Sequence, residues 1–171
     1  MPAREVLRMG HPVLRERAKP VEQVATPELR ELVADMKETM AAKEGAGLAA
    51  PQIGVSLRVF VADVSVGRDR NGLVIMVNPT FVEREGMQLE EEGCLSLPGF
   101  NATVMRPARA VLKGFDRHGQ EQTVEGKGLL ARAFQHEMDH LDGLVFVDRL
   151  RGIKRDLIVR RIQKLKRSGK W

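Results

Sequence analysis

The chain has 171 residues, enough to bury the core of one domain, and its 43% hydrophobic and 30% charged residues exclude collagen-like and wholly disordered classes. The net charge of +5 is uneven, because residues 148–171 carry ten Lys or Arg and two Asp, a local charge of +8. No apolar run has the length of a signal peptide or of a membrane span, and the single cysteine, Cys94, cannot form an internal disulfide. We therefore expect one cytoplasmic domain over residues 1–171.

The first predicted element is an amphipathic helix over residues 27–43. Thr26 is a suitable N-cap, Pro27 is a suitable first helical residue, and apolar residues then recur at helical spacing. The next segment, residues 45–54, consists mostly of small residues and has Gln52 as its one long polar side chain. It is either a plain loop or a place where a ligand can approach the backbone closely.

The middle of the chain predicts β-structure. Apolar runs bounded by turn residues indicate strands over residues 57–63, 73–77, 80–84, 109–116 and 120–125. Asn78 and Pro79 are expected to end the second of these strands, because proline cannot donate to a sheet. The last two strands form a hairpin whose polar tip exposes His118.

An acidic run, residues 90–92, leads into Gly93 and Cys94. By default such a run is a solvated face, and a lone cysteine is a small buried hydrophobic residue. This cysteine, however, follows a glycine in a predicted polar turn, where a thiol is not the obvious residue for packing. Cys94 is therefore also a candidate metal ligand.

A helical metal-binding pattern lies within the apolar run of residues 129–144. His136 and His140 are four residues apart and share one face of a helix, so both can bind one metal ion. Glu137 lies about 100° further round, within reach of a water on that metal. Apolar residues cover most of the circumference, so we expect this helix at the centre of the domain.

A catalytic site of this kind needs a third protein ligand and one open position. The remaining histidines, His11 and His118, are poorly placed, and neither His nor Glu follows His140. Cys94 is the stronger candidate, because thiolate binds such metals tightly. Three aspartates stay open as alternatives, namely Asp142, Asp148 and Asp156.

A last helix is predicted over residues 152–167. Its expected apolar stripe consists of Leu157, Ile158, Ile162 and Leu165. A basic row on another face consists of Arg160, Lys164 and Arg167. This row is either the solvated face of a docked helix or a surface for a polyanionic partner.

Three segments, residues 45–52 (GAGLAAPQ), 92–96 (EGCLS) and 135–143 (QHEMDHLDG), together resemble the three motifs of the peptide deformylases. The resemblance implies an α+β fold with antiparallel or mixed β-sheets around a central metal-binding helix, followed by a C-terminal helix. It also implies a hydrolase that removes the N-formyl group from the N-terminal methionine of newly synthesised proteins and releases formate.

The same resemblance implies a role for individual residues. The metal ligands are Cys94, His136 and His140, the general acid and base is Glu137, and the oxyanion is stabilised by Gln52 and the backbone N–H of Leu95. Residues that contact the substrate are Gly47, Gly93, Leu129, Arg132 and Ala133. The metal is expected to be Fe(II), and zinc, nickel or cobalt can take the same position. In some bacterial members the C-terminal helix docks on the ribosome, which gives the basic row a partner.

Two other functions compete with this one. A zinc endopeptidase shares the histidine helix but lacks the glycine-rich and cysteine motifs. A nucleic-acid-binding module with a structural metal needs a fourth protein ligand, and no second cysteine or third well-placed histidine exists to supply it.

Overall fold

The computed structural model describes residues 3–171, and within them seven strands and three α-helices are formed. In chain order these elements are α1 (Pro27–Ala42), β1 (Gly47–Ala49), β2 (Val59–Ala62), β3 (Val74–Glu85), β4 (Gln88–Gly93), β5 (Asn101–Arg106), β6 (Arg109–Phe115), β7 (Glu121–Lys127), α2 (Leu129–Leu141) and α3 (Ile153–Arg167). Strands β1-β2-β3-β6-β7 form one sheet in that order, and β4 pairs with β5 in a second. All these strand pairs are antiparallel, which confirms the predicted α+β class.

Helix α1 begins and ends within a residue of the prediction. The Oγ1 of Thr26 accepts a hydrogen bond from the N–H of Leu29 at 3.2 Å and so caps the helix. The predicted apolar face is buried against β1, β2 and the 3₁₀ helix Ala50–Ile53. This packing fixes the segment that carries Gln52.

Strand β3 is one element and not the two that were predicted. Asn78 does not end the strand. It adopts a positive φ of 52°, and the pairing of β3 with β6 shifts register at this point. Its side chain accepts from the N–H of Val21 at 2.8 Å and donates to the carbonyl of Val21 at 2.9 Å. Asparagine tolerates this backbone conformation, so the chain bulges and continues as a strand.

Strands β1, β4 and β5 were not predicted. The acidic run lies in β4, where Glu92 is opposite Ala102 of β5 and its side chain is buried. Cys94 follows directly after the end of this strand and begins a turn, in which its carbonyl accepts from the N–H of Leu97 at 3.0 Å. The prediction of a solvated acidic face is therefore wrong at Glu92, although Glu90 and Glu91 are exposed.

Helix α2 lies in the interior, against β1, β2, β6 and β7. Every residue from Ala131 to Leu141 is buried, which confirms the expected central position. Two aromatic side chains of the surrounding core, Phe60 and Phe134, lie 6.0 Å apart between their ring centroids. The rigid core holds the histidine pair in a fixed position.

Helix α3 is formed as predicted, but only part of its apolar stripe is covered. Ile162 is buried, whereas Leu157 is 59% exposed. The prediction that Leu157 lies on the packed face is wrong, because Ile158 and Val159 of the same turn pack against the core and Leu157 lies on the solvent side of the helix. None of the helices in residues 3–171 combines the length and the apolar character needed to cross a membrane.

Candidate metal centre

Three side chains from distant parts of the sequence converge at one point. The ligand atoms of Cys94, His136 and His140 all lie within 4.8 Å of one another. The Nε2 of His140 is 3.3 Å from the Cys94 Sγ and 3.3 Å from the Nε2 of His136. The loop after β4 thus brings the thiol to the histidine face of α2.

The aspartates considered as alternative ligands lie elsewhere. Asp142 pairs with Arg58 at 2.9 Å and Asp148 pairs with Arg15 at 2.6 Å. Asp156 is exposed in the first turn of α3. His118 is exposed at the β6–β7 turn, as expected, and His11 caps a 3₁₀ turn near the N-terminus.

The ring of His136 is oriented by Glu92. The Nδ1 of His136 lies 2.6 Å from the Glu92 Oε2, and because a carboxylate only accepts, Nδ1 carries the proton. With Nδ1 bonded to Glu92, Nε2, which lies 3.3 Å from the His140 Nε2, is the ring nitrogen available to bind a metal in place of a proton. Burial lowers the pKa of His140 well below its usual range, so this imidazole is neutral and suited to a metal.

Glu92 is itself held by two arginines. Arg106 donates to both of its oxygens, and Arg132 donates to Oε1 at 2.7 Å. Burial opposes ionisation, but hydrogen bonds from His136 and Arg106 outweigh it and hold the pKa of Glu92 well below its usual range. Sequence reasoning missed this residue, although Glu92 is the first residue of the second motif.

Glu137 lies beside Gly47. A Cβ on Gly47 would overlap the Oε2 of Glu137, so only glycine leaves room for the carboxylate. The other oxygen, Oε1, is buried without a hydrogen-bond partner. Burial raises the pKa of Glu137 to about 7, which suits a group that both takes and returns a proton near neutral pH.

The Gln52 side chain is fixed in one orientation. Its Oε1 accepts from the N–H of Ala49 at 2.9 Å, and its Nε2 donates to the Ser96 Oγ at 3.0 Å. The same Nε2 lies 3.7 Å from the Cys94 Sγ. One N–H of the Gln52 amide is therefore used by Ser96, and the other points to Cys94, where the three ligand atoms meet.

A cavity of about 510 Å³ opens onto this group of side chains. Its size is typical of a site for a small molecule or a peptide end. All but one of the residues predicted for the site line it, namely Gly47, Gln52, Gly93, Cys94, Leu95, Leu129, Arg132, Ala133, His136 and Glu137. The exception, His140, lies deeper and is 1% exposed.

The residues present fit a divalent metal ion. The negative charges of Cys94 and Glu137 raise the pKa of His136 against the effect of burial, and the same charges favour a cation here. Within residues 3–171 no fourth His, Cys, Asp or Glu joins the cluster. Three protein ligands beside a cavity are typical of a catalytic metal site with one open position.

Comparison with known proteins agrees with the interpretation of this site as a catalytic metal site. The sequence model of the polypeptide deformylase family matches residues 3–156. The chain is 44% identical to a peptide deformylase of Acidobacterium capsulatum over the full length of both, and 53% identical to that of Heliobacterium modesticaldum over 85% of this chain and 93% of the relative. A crystal structure of a peptide deformylase from Legionella pneumophila superposes with a TM-score of 0.90, at 43% identity and 98% coverage of each chain.

These matches confirm the predicted enzyme class and do not support the alternatives of a zinc endopeptidase or a nucleic-acid-binding module. The Cys/His/His group agrees with the metal dependence of the family. The chain belongs to the peptide deformylase family, whose members remove the N-formyl group from nascent peptides.

Proposed function

We propose that the convergence of Cys94, His136 and His140 beside Glu137, at the wall of the cavity, is the centre at which this chain deformylates its substrate. The metal bound there is Fe(II), and zinc, nickel or cobalt bind the same ligands, because a thiolate and two imidazoles suit all four. The catalytic domain extends over residues 1–171, and α3 is its basic C-terminal helix.

The metal, when bound, acts as a Lewis acid that polarises the formyl carbonyl and makes a water molecule easier to deprotonate. Glu137 takes a proton from the attacking water and passes it to the departing amine. Its buried carboxylate supports this role, since Oε1 has no hydrogen-bond partner in the protein and is free to accept a proton. Formate and a peptide with a free N-terminus are released.

The negative oxygen that develops during attack needs fixed donors. Gln52 and the backbone N–H of Leu95 supply them, and both residues line the cavity. The hydrogen bonds of Gln52 to Ala49 and Ser96 hold its amide in place before the substrate binds. Such preorganised donors act at once, because they need no rearrangement in the transition state.

The substrate backbone lies beside Gly47 and Gly93 as an added strand. The methionine side chain enters the cavity and contacts the wall formed by Leu129, Arg132 and Ala133. The position of β1 at the edge of the larger sheet supports strand addition.

Formate release tests the proposed reaction. The protein, purified without oxygen, is incubated with formyl-Met-Ala-Ser and, in parallel, with acetyl-Met-Ala-Ser. We expect formate from the first peptide only, with both peptide bonds intact. Cleavage of a peptide bond, or no formate with iron, zinc, nickel or cobalt bound, would contradict the proposal.

A second proposal concerns the compartment in which the enzyme works and the partner that its basic helix binds there. We propose that this enzyme works in the cytoplasm and that the exposed row Arg160, Lys164 and Arg167 binds ribosomal RNA phosphate. Changing all three to Gln is expected to reduce co-sedimentation with ribosomes at low salt. The matched control changes three exposed cations outside α3 to Gln, namely Lys19, Arg68 and Arg70. Equal binding by the two variants would contradict a role for α3.

A further inference from the structure

We propose that Arg132 is a positioning residue for the metal centre, because it holds the Glu92 carboxylate that in turn orients His136. This inference rests on the proposed function, which assigns His136 as a metal ligand. It changes the interpretation of Arg132, which the sequence places in the wall of the methionine pocket.

The three guanidinium nitrogens of Arg132 all have acceptors in the small sheet. Nη1 donates to the Glu92 Oε1 at 2.7 Å, Nη2 donates to the Val104 carbonyl at 2.6 Å, and Nε donates to the Gln88 Oε1 at 3.2 Å. The side chain is 3% exposed. Its charged end is therefore committed to Glu92 and its surroundings, and only the remainder lines the cavity.

Each oxygen of Glu92 serves two partners. Oε2 accepts from His136 and from the Arg106 Nη2, both at 2.6 Å, while Oε1 accepts from Arg132 and from the Arg106 Nε at 3.1 Å. Arg106 also donates to Asp139 at 2.7 Å and so divides its charge between two carboxylates. Arg132 has Glu92 as its one carboxylate partner among the described residues.

The positions of the residues explain why one carboxylate can join both side chains. Arg132 and His136 are four residues apart on α2, so they lie on the same face of the helix. Glu92 reaches this face from β4 with one oxygen towards each of them. Without Arg132, Oε1 keeps a single and longer hydrogen bond, and Glu92 can rotate away from the Nδ1 of His136.

The rate of zinc release tests this inference directly. Zinc-loaded proteins are mixed with a coloured chelator, and the absorption spectrum of the cobalt-substituted proteins reports ligand geometry. Arg132→Met keeps a stem of similar length and removes all donors, so we expect about 10-fold faster zinc release and altered cobalt bands. Arg132→Lys keeps the charge but cannot reach three acceptors, so we expect an intermediate rate.

Two control variants separate positioning from other roles. Leu129→Ala alters the same cavity wall without contact to Glu92 and is expected to change KM while zinc release stays at the wild-type rate. Gln88→Met removes another contact of Arg132, and two hydrogen bonds to backbone carbonyls, but leaves Glu92 untouched. It is expected to lower stability without faster zinc release.

Wild-type zinc release and an unchanged cobalt spectrum in Arg132→Met, with only KM raised, would overturn the inference and leave Arg132 as a pocket residue. Equal acceleration by Gln88→Met would also overturn it and indicate a general structural role. If Arg132→Met does not fold, Arg132→Lys decides by the same two measurements. These readouts do not depend on formate release, so a failure of the proposed function is recognised separately.

Discussion

Helices α2 and α3 have similar lengths, 13 and 15 residues, and opposite surroundings. Eleven residues of α2 are buried, and five of those in its C-terminal half are polar. In α3 only Ile162 is buried. Burying a charged group costs several kcal/mol unless it is paired, so each polar residue of α2 needs either a partner or a function. The charged residues of α3 are solvated and need neither.

The hydrogen bonds of α2 separate its structural polar residues from its chemical ones. Asp139 is satisfied by Arg106 at 2.7 Å and by Arg149, and Gln135 donates to two backbone carbonyls. In contrast, the Oε1 of Glu137 and the Nδ1 of His140 are buried without a partner. Unsatisfied polar atoms are rare in protein interiors, and those of α2 belong to the proposed proton carrier and to a proposed metal ligand. The described residues hold one more such atom, the Oδ1 of Asp35 in α1.

The largest effect is expected for Glu137→Gln, because glutamine fills the same space but cannot accept and return a proton. We expect kcat for formate release from formyl-Met-Ala-Ser to fall by about 10³-fold. Metal content and thermal stability, measured on the same samples, should stay at the wild-type level. A variant with full metal content and the native rate would show that the unpaired carboxylate is not the proton carrier.

A large effect on stability is expected for Arg106→Met. Arg106 is buried between Glu92 and Asp139, and its loss leaves two buried carboxylates without their main partner. We expect the free energy of unfolding, measured with urea on the metal-free proteins, to fall by about 3–5 kcal/mol.

The matched control for this prediction is Arg109→Met. Arg109 also contacts several carboxylates, namely Glu83, Glu85 and Glu125, but its side chain is 27% exposed. Solvent-accessible pairs contribute little, so we expect a loss much smaller than that of Arg106→Met. Equal losses in the two variants would mean that burial does not determine how much each of these ion-pair networks contributes to the free energy of unfolding.

The sequence predicts the helices and the β6–β7 hairpin well, because each has a local signal. Thr26 and Pro27 indicate the start of α1, and the i, i+4 histidines of α2 lie in an apolar run that is long enough for a helix. The convergence of Cys94 with the histidines was also predictable, since the chain has one cysteine and only four histidines, although three aspartates stayed open as alternatives. These features depend on residues that are close in sequence or rare in composition.

The small sheet could not be predicted in the same way. The run Glu90, Glu91, Glu92 has the composition of a solvated face, and only the pairing of β4 with β5 turns Glu92 inward. Its partners Arg106 and Arg132 are 14 and 40 residues away. Such long-range compensation of a buried charge leaves no local pattern, so both the strand and the contact of Arg132 with Glu92 appear only in the folded structure.

A smaller effect is expected for Ile162→Ala, which tests how α3 is held. Ile162 packs in the core cluster with Phe146 and Leu150, so its truncation should lower the free energy of unfolding by about 2 kcal/mol. Leu157→Ala removes a similar side chain from the exposed side of the helix and should change stability by less than about 0.5 kcal/mol. Urea denaturation measures both, and a loss at Leu157 as large as that at Ile162 would contradict the assignment of Leu157 to the solvent side.

The smallest effect is expected for Trp171→Phe, which tests the other contact that holds this end of the chain. The Nε1 of Trp171 donates to the Met9 carbonyl at 2.7 Å, and its ring centroid lies 5.8 Å from that of Phe100 in an edge-on arrangement. Phenylalanine keeps an aromatic ring against Phe100 but loses the hydrogen bond, so we expect a loss of about 1 kcal/mol and a decrease in Tm of about 2–4 °C. An unchanged Tm would mean that water replaces the indole N–H at no cost, and that the ring contact with Phe100 and the packing of Ile162 hold this end of the chain without the hydrogen bond.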